Sequence, residues 1–160
     1  MGRIEDRLTE LGLRLPPEVK LPEGVVLPFA FVNIRGDRAI ISGHGPQDED
    51  GQLVGPFGQV GSDVSVDDAI EAARLTGLSV LGSLQRSLGS LDRVTGWVKV
   101  LGMVNSAPGF TDQPTVINGF SNLIVDVFGP EVGRHARSAV GMAALPWSIP
   151  VEVEAEVTII

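Results

Sequence analysis

The tightest constraint on this chain is the alternation near its C-terminus, where residues 151–157 read VEVEAEV. Successive side chains of a strand point to opposite faces. Val151, Val153, Ala155 and Val157 therefore share one face, and Glu152, Glu154 and Glu156 share the other. A regular apolar face requires a packed layer beneath it, whereas a face bearing three carboxylates fronts water or lines a polar site. Upstream, Arg137 stands alone in a second alternating segment, separated from the first by Leu145-Pro146. A guanidinium suits a carboxylate because its planar fork meets two oxygens at once. Arg137 thus has two readings: an ion pair with Glu152 or Glu154 across strands, or a contact to the carboxylate of a ligand.

The rest of the chain supplies the layer. Residues 3–12 predict a short amphipathic helix with Ile4, Leu8 and Leu11 on one face and Gly12 as its stop. Pro16, Pro17 and Pro22 then impose an extended linker. Residues 30–34 and 39–42 read as a hairpin around Arg35-Gly36-Asp37, where the RGD triplet is a turn rather than an adhesion motif. Residues 43–61 are rich in Gly and Pro. Within them Asp48-Glu49-Asp50-Gly51 lacks the distal Glu of a calcium loop and reads as a solvated turn. Ser65 with Asp68 opens the clearest helix, whose stripe of Val66, Ile70, Ala73, Gly77, Val80, Leu84 and Leu88 runs to Gly89. Ala73 and Gly77 predict a close approach to the sheet. Residues 94–104 form a strand, with Trp97 and Lys99 on one parity and Val98 and Val100 on the other. Pro114 starts a second helix, with Ile117, Phe120, Ile124 and Val127 inward and Gly129-Pro130 as its end.

This order specifies an α+β architecture: a mixed sheet with two main helices on one face. Residues 1–22 form an N-terminal helix and linker, and residues 23–160 form the domain. No helix remains for the other sheet face, so self-association is the simplest cover.

Composition narrows the function. Twelve Lys and Arg against twenty Asp and Glu give a net charge of −8, with no Tyr and only two Trp. Nucleic acid is a poor partner for such a surface. With no Cys, disulfides, thiolate metal sites and a Cys nucleophile are excluded. No run of eighteen apolar residues and no secretory leader is visible, so the expected location is the cytoplasm, without a membrane partner. Serine-hydrolase elbows, phosphate loops, zincin motifs and dinucleotide fingerprints are all missing. His44 and His135 are single and far apart, which favours local hydrogen bonds over a shared metal.

The residues ARSAV at 136–140, LP at 145–146 and VEVEA at 151–155 resemble the RidA (YjgF, or L-PSP endoribonuclease) family. Supporting matches are ISG at 41–43, Asp92-Arg93-Val94 before VKV, and Val116-Ile117-Asn118. The resemblance spans residues 28–157. Together with SAPGFTDQPTVINGFS and GRHARSAVG it points to a longer subgroup with an added N-terminal helix. It implies a chorismate-mutase-like α+β protomer, a homotrimer, and sites in the clefts between subunits. Its better-understood members hydrolyse reactive enamines and imines to 2-oxo acids and ammonia without metal or organic cofactor. By that resemblance Arg137 binds the substrate carboxylate and Glu152, fifteen positions later, orients water. Asn118 and the backbone of Gly43 line the cleft. Phe29 stands where such deaminases carry a tyrosine, and Ala139 where many carry a cysteine, which makes the pocket more apolar. The leading expectation is an enamine/imine deaminase acting on a small carboxylate-bearing metabolite. The alternative is a non-catalytic small-carboxylate binding protein of the same fold, and a ribonuclease ranks last.

Overall fold

A computed structural model describes residues 2–160, and in it the alternating C-terminal segment is the middle strand of a five-stranded sheet. The elements in chain order are α1 (Arg3–Glu10), β1 (Val32–Arg35), β2 (Arg38–His44), α2 (Val66–Leu88), β3 (Val94–Asn105), α3 (Gln113–Gly133), β4 (Ala136–Met142) and β5 (Val151–Ile159). Across the sheet the order is β1-β2-β5-β3-β4. Neighbours are antiparallel except β3 and β4, which are parallel and joined through α3. A parallel pair needs such a crossover, because a tight turn can only reverse the chain. The expected mixed sheet with two main helices on one face is what forms, and Val151, Val153, Ala155 and Val157 are buried beneath them.

Local chemistry explains the helix ends. Ser65 Oγ accepts the Asp68 N–H at 3.1 Å, and Gly89 closes α2 in the left-handed region at φ 81°. A β-carbon is disfavoured there. Every residue of α2 from Thr76 to Leu84 is buried, so this middle stretch of the helix is enclosed on all sides. The sheet and α3 cover two of them. The proline-rich segment covers a third: Arg86 Nη1 donates to Pro16 O at 3.0 Å, and that carbonyl lies 2.8 Å from where a Gly82 β-carbon would sit. The segment is strapped across the helix. Its leading helix α1 inserts Ile4 and Leu8 into the same core. Because Gly2 offers no side chain to cap α1, Asp92 does so from the short 3₁₀ turn Leu91–Arg93, accepting the N–H groups of Arg3 at 2.7 Å and Ile4 at 2.9 Å. Glu5 returns the contact by accepting the Leu91 N–H at 2.8 Å.

Two details differ from the sequence reading. Gly77 faces Leu123 and Phe120 of α3, not the sheet; the close approach to the sheet is made from the strand side, where Ile117 lies 2.5 Å from the place of a Gly102 β-carbon. Trp97 and Lys99 do not share a face either. The pairing of β3 with β5 slips by one residue between Trp97↔Val157 and Lys99↔Glu156, and this bulge turns both Trp97 and Val100 into the core. Trp97 then stacks edge-on against Phe120 at 5.9 Å and Phe128 at 5.7 Å.

Among the described residues the opposite sheet face carries no helix. Ile40 and Val140 are 45% and 38% exposed there, beside Glu152, Glu154 and an ion pair between Arg38 and Glu156. Among the described residues no helix is long and apolar enough to cross a membrane.

The contact between α2 and α3 is closest at Gly119, where an added β-carbon would collide with the Ile70 carbonyl oxygen. Backbone cannot step aside as a flexible side chain can. Gly119→Ala is expected to cost about 1–3 kcal/mol, read as a lower denaturant midpoint at unchanged slope; an unchanged midpoint would show slack between the helices.

Candidate functional site

The site residues fall into two clusters on opposite sides of the sheet. The first is built on α3 and β4. Arg137 lies opposite Val100 in the parallel ladder and so projects to the helix side at the sheet edge. There Nη1 donates to Asn118 Oδ1 at 2.9 Å and Ser121 Oγ at 3.1 Å, and Nη2 donates to Pro114 O at 3.3 Å. Those partners sit at spacings of four and three along α3, one stripe of the helix. Three of the five guanidinium N–H groups are thereby taken and two remain. Among the described residues Arg137 forms no ion pair, and burial lowers its pKa.

Behind it stands His135. Its Nδ1 lies 2.7 Å from Gly133 O, which can only accept, so the ring proton is assigned to Nδ1. Nε2 then accepts the Ser121 hydroxyl proton at 2.9 Å, and Ser121 Oγ is left to accept from Arg137. Burial is the main cause lowering the His135 pKa; the Gly133 bond opposes it and the Arg137 charge adds to it. A neutral imidazole thus orients the hydroxyl that orients the guanidinium.

The second cluster joins β2, β5 and the preceding loop. Glu152 projects from the bare face beside Gly43, where any β-carbon would overlap its Oε1. Burial raises the Glu152 pKa, and the neighbouring Glu154 raises it further. Phe29 is 54% exposed and meets Phe31 edge-on at 6.0 Å; with Gly43 and Trp147 these rings border an apolar cavity of about 100 Å³. Next to it His44 is fully engaged, donating from Nδ1 to Ser42 O at 2.6 Å and accepting at Nε2 from Ser83 Oγ at 2.8 Å. Its pKa is lowered to about 4, mainly by burial. It is therefore a neutral wall and not a base. Trp147 and Ser148 both adopt left-handed backbone, φ 52° and 57°, at a cost of roughly 1–3 kcal/mol each. Ser148 O accepts the Gly58 N–H at 2.8 Å and holds the bend in place.

The structure thus joins Arg137 to Asn118, and Gly43 to Glu152 and the Phe29 cavity, but does not join the two sets within one chain. β3 lies between β4 and β5, and Arg137 and Glu152 point to opposite faces. The cross-strand ion pair is therefore absent, and Glu156 pairs with Arg38 instead. Asp48 Oδ1 accepts the N–H groups of Asp50 and Gln52, both at 2.9 Å, as a turn carboxylate does. Ser121 and Trp147 escaped sequence reasoning; His135 makes the local hydrogen bonds expected of it, but its place behind Arg137 was not foreseen. Ser121 had a signal, lying three residues beyond Asn118, and so did His135, lying two before Arg137 on a strand. Nothing about Trp147 announced its backbone.

This α+β layer, with a tethered arginine at one edge and a glutamate on the open face, defines a class shared with solved proteins. Residues 5–153 match the YjgF/chorismate mutase-like endoribonuclease family, and the chain belongs to it. It is 42% identical over 154 residues to protein TCP17 of Trypanosoma cruzi, covering 96% of this chain and 92% of that one. The crystal structure of Atu1372 from Agrobacterium tumefaciens is similar with a TM-score of 0.85 and 40% identity, over 98% of this chain and 91% of that one. A Shewanella oneidensis structure bearing the endoribonuclease label gives a TM-score of 0.86 at 28% identity, over 99% and 100%.

The raised Glu152 pKa has a stability consequence of definite sign. The folded chain holds this proton more tightly than the unfolded chain, so Glu152 lowers stability as pH rises from the ordinary value of 4.5 through its folded pKa. Glu152→Gln is expected to be more stable than the parent at neutral pH and to converge with it in acid. Parallel stability–pH curves would contradict the shift.

Proposed function

We propose that this protein hydrolyses small enamine or imine acids to 2-oxo acids and ammonia, in a cleft formed where copies of the chain meet as a homotrimer. The observation that carries this reading is an arginine fixed by α3, without a counter-ion among the described residues, and with two N–H groups to spare. Such a group is suited to a ligand carboxylate. Glu152 supplies what Arg137 lacks: a partly desolvated carboxylate whose proton affinity is raised toward that of a general acid–base. Since the two project from opposite sheet faces, a shared substrate draws Arg137 and Asn118 from one copy, and Glu152, Gly43 and Phe29 from another. The uncovered face with its exposed Ile40 and Val140 supports the same assembly.

The chemistry asks little of the protein. An enamine gains a proton on carbon to become an imine, and the protonated C=N carbon is already electrophilic. Arg137 fixes the carboxylate, so a water beside Glu152 meets that carbon at high effective concentration. Glu152 accepts a proton as the water oxygen bonds to carbon, then returns it to nitrogen. The C–N bond breaks, ammonia leaves, and the carbinol hydroxyl passes its proton to Glu152 as its oxygen becomes the carbonyl of the 2-oxo acid; ammonia then takes that proton as ammonium. No step calls for a metal or organic cofactor. An RNA substrate is less well supported, because the net charge is −8 and both histidines are engaged in local hydrogen bonds.

Three measurements test the reading. Sedimentation at micromolar concentration is expected to give three times the 16.9 kDa chain mass, and a monomer overturns the shared cleft. Arg137→Ala is expected to stay assembled yet lose oxo-acid binding, at a cost of about 2–5 kcal/mol. Glu152→Gln is expected to retain binding while slowing ammonia release from freshly generated 2-aminoacrylate by about 10²–10⁴-fold above the uncatalysed background. Binding without any turnover by the parent protein would replace the deaminase by a small-carboxylate binding protein.

A further inference from the structure

We infer that the site selects 2-imino and 2-oxo acids with a branched aliphatic side chain, and that the proline-rich N-terminal segment is the element that sets this selection. The inference rests on the carboxylate-binding site proposed above and adds the identity of the group attached to the reacting carbon. Its basis is the cavity of about 100 Å³ that opens beside Gly43, the residue pressed against Glu152. Glu152 does not itself line the cavity; Gly43 borders both, so a substrate with its reacting carbon at Glu152 would reach this space across Gly43.

The walls decide what enters. Leu21, Phe29, Phe31, Leu53, Trp147 and Ile149 present carbon to the cavity. His44, Gln47 and the indole N–H of Trp147 are the polar side-chain groups among the lining residues. Both His44 nitrogens are used, and Gln47 Nε2 lies within donating distance of Pro17 O at 3.3 Å and Gly51 O at 3.4 Å. That leaves Gln47 Oε1 and the Trp147 indole N–H to meet a water or a polar substituent, among lining side chains that are otherwise carbon. Size narrows the class further. An apolar cavity of about 150 Å³ accepts benzene, so this smaller one suits a branched chain of a few carbons. The methylene of 2-aminoacrylate would leave most of it empty. Leu21 comes from the segment that Arg86 and Gly82 hold across α2, so its position follows from the strap, not from the sheet. The left-handed backbone at Trp147 and Ser148 places the indole as the facing wall.

The test uses the full chain and calorimetric titration with pyruvate, 2-oxobutanoate and 4-methyl-2-oxopentanoate. Each buried methylene is worth roughly fourfold in affinity, so the branched acid is expected to bind on the order of 50-fold tighter than pyruvate. Leu21→Ala, a change at a half-buried linker position, is expected to shrink that ratio several-fold. Equal affinities across the series, or binding of none of the three acids, would overturn the inference, as would a Leu21→Ala variant that keeps the full ratio. The two readings separate cleanly. Graded binding without ammonia release leaves this inference standing and removes the deaminase; turnover with no size dependence does the reverse.

Discussion

Everything in this protein hangs on the two-sided character of β5. Its apolar residues anchor the helix layer and its glutamates face away, and because it lies between β2 and β3 both of its edges are hydrogen-bonded. A one-residue slip of this strand would send three carboxylates into the core, at a cost far above what a domain of this size can absorb. The register is accordingly rigid. The bulge that corrects it is placed on β3, where Trp97 and Val100 can both turn inward while the glutamates stay where they are. Glu152 therefore inherits its position from the strongest packing constraint in the chain.

Arg137 is positioned by different means. It stands on an edge strand, where sheet packing specifies little, and its orientation comes from α3 through Asn118, Ser121 and the Pro114 carbonyl. His135 completes the arrangement from the strand itself. The kink in α3 at Gly129, where φ 78° breaks the helix before its last turn to Gly133, matters here, since it redirects the chain into β4 with His135 against Ser121. Two unlike solutions, core packing for the carboxylate and a hydrogen-bonded side chain for the guanidinium, thus prepare the two halves of the proposed site.

Much of this was legible in the residues. The element order, the helix ends at Ser65 and Gly89, and the inward face of β5 follow from periodicity and capping chemistry that act over a few residues. What remained hidden was set by distant partners. Gly77 looks equally suited to a sheet or a helix until α3 is in place, and the parity of Trp97 depends on a bulge that the strand pattern does not reveal. The opposed directions of Arg137 and Glu152 follow from β3 being inserted between β4 and β5, a matter of topology that the fifteen-residue spacing does not show. The capping of α1 by Asp92 joins positions 88 and 89 residues apart, well beyond the reach of local reasoning.

That cap sets an order of events. A helix of eight residues is marginal in water by itself, and the carboxylate that satisfies its first N–H groups follows α2 in the chain. During synthesis α1 must wait for most of the chain to emerge before it can dock, and the linker behind it settles across α2 only then. The strap is thus the last piece to seat on the helix layer. It can also be redrawn with little disturbance to the sheet, because none of its residues belongs to a strand.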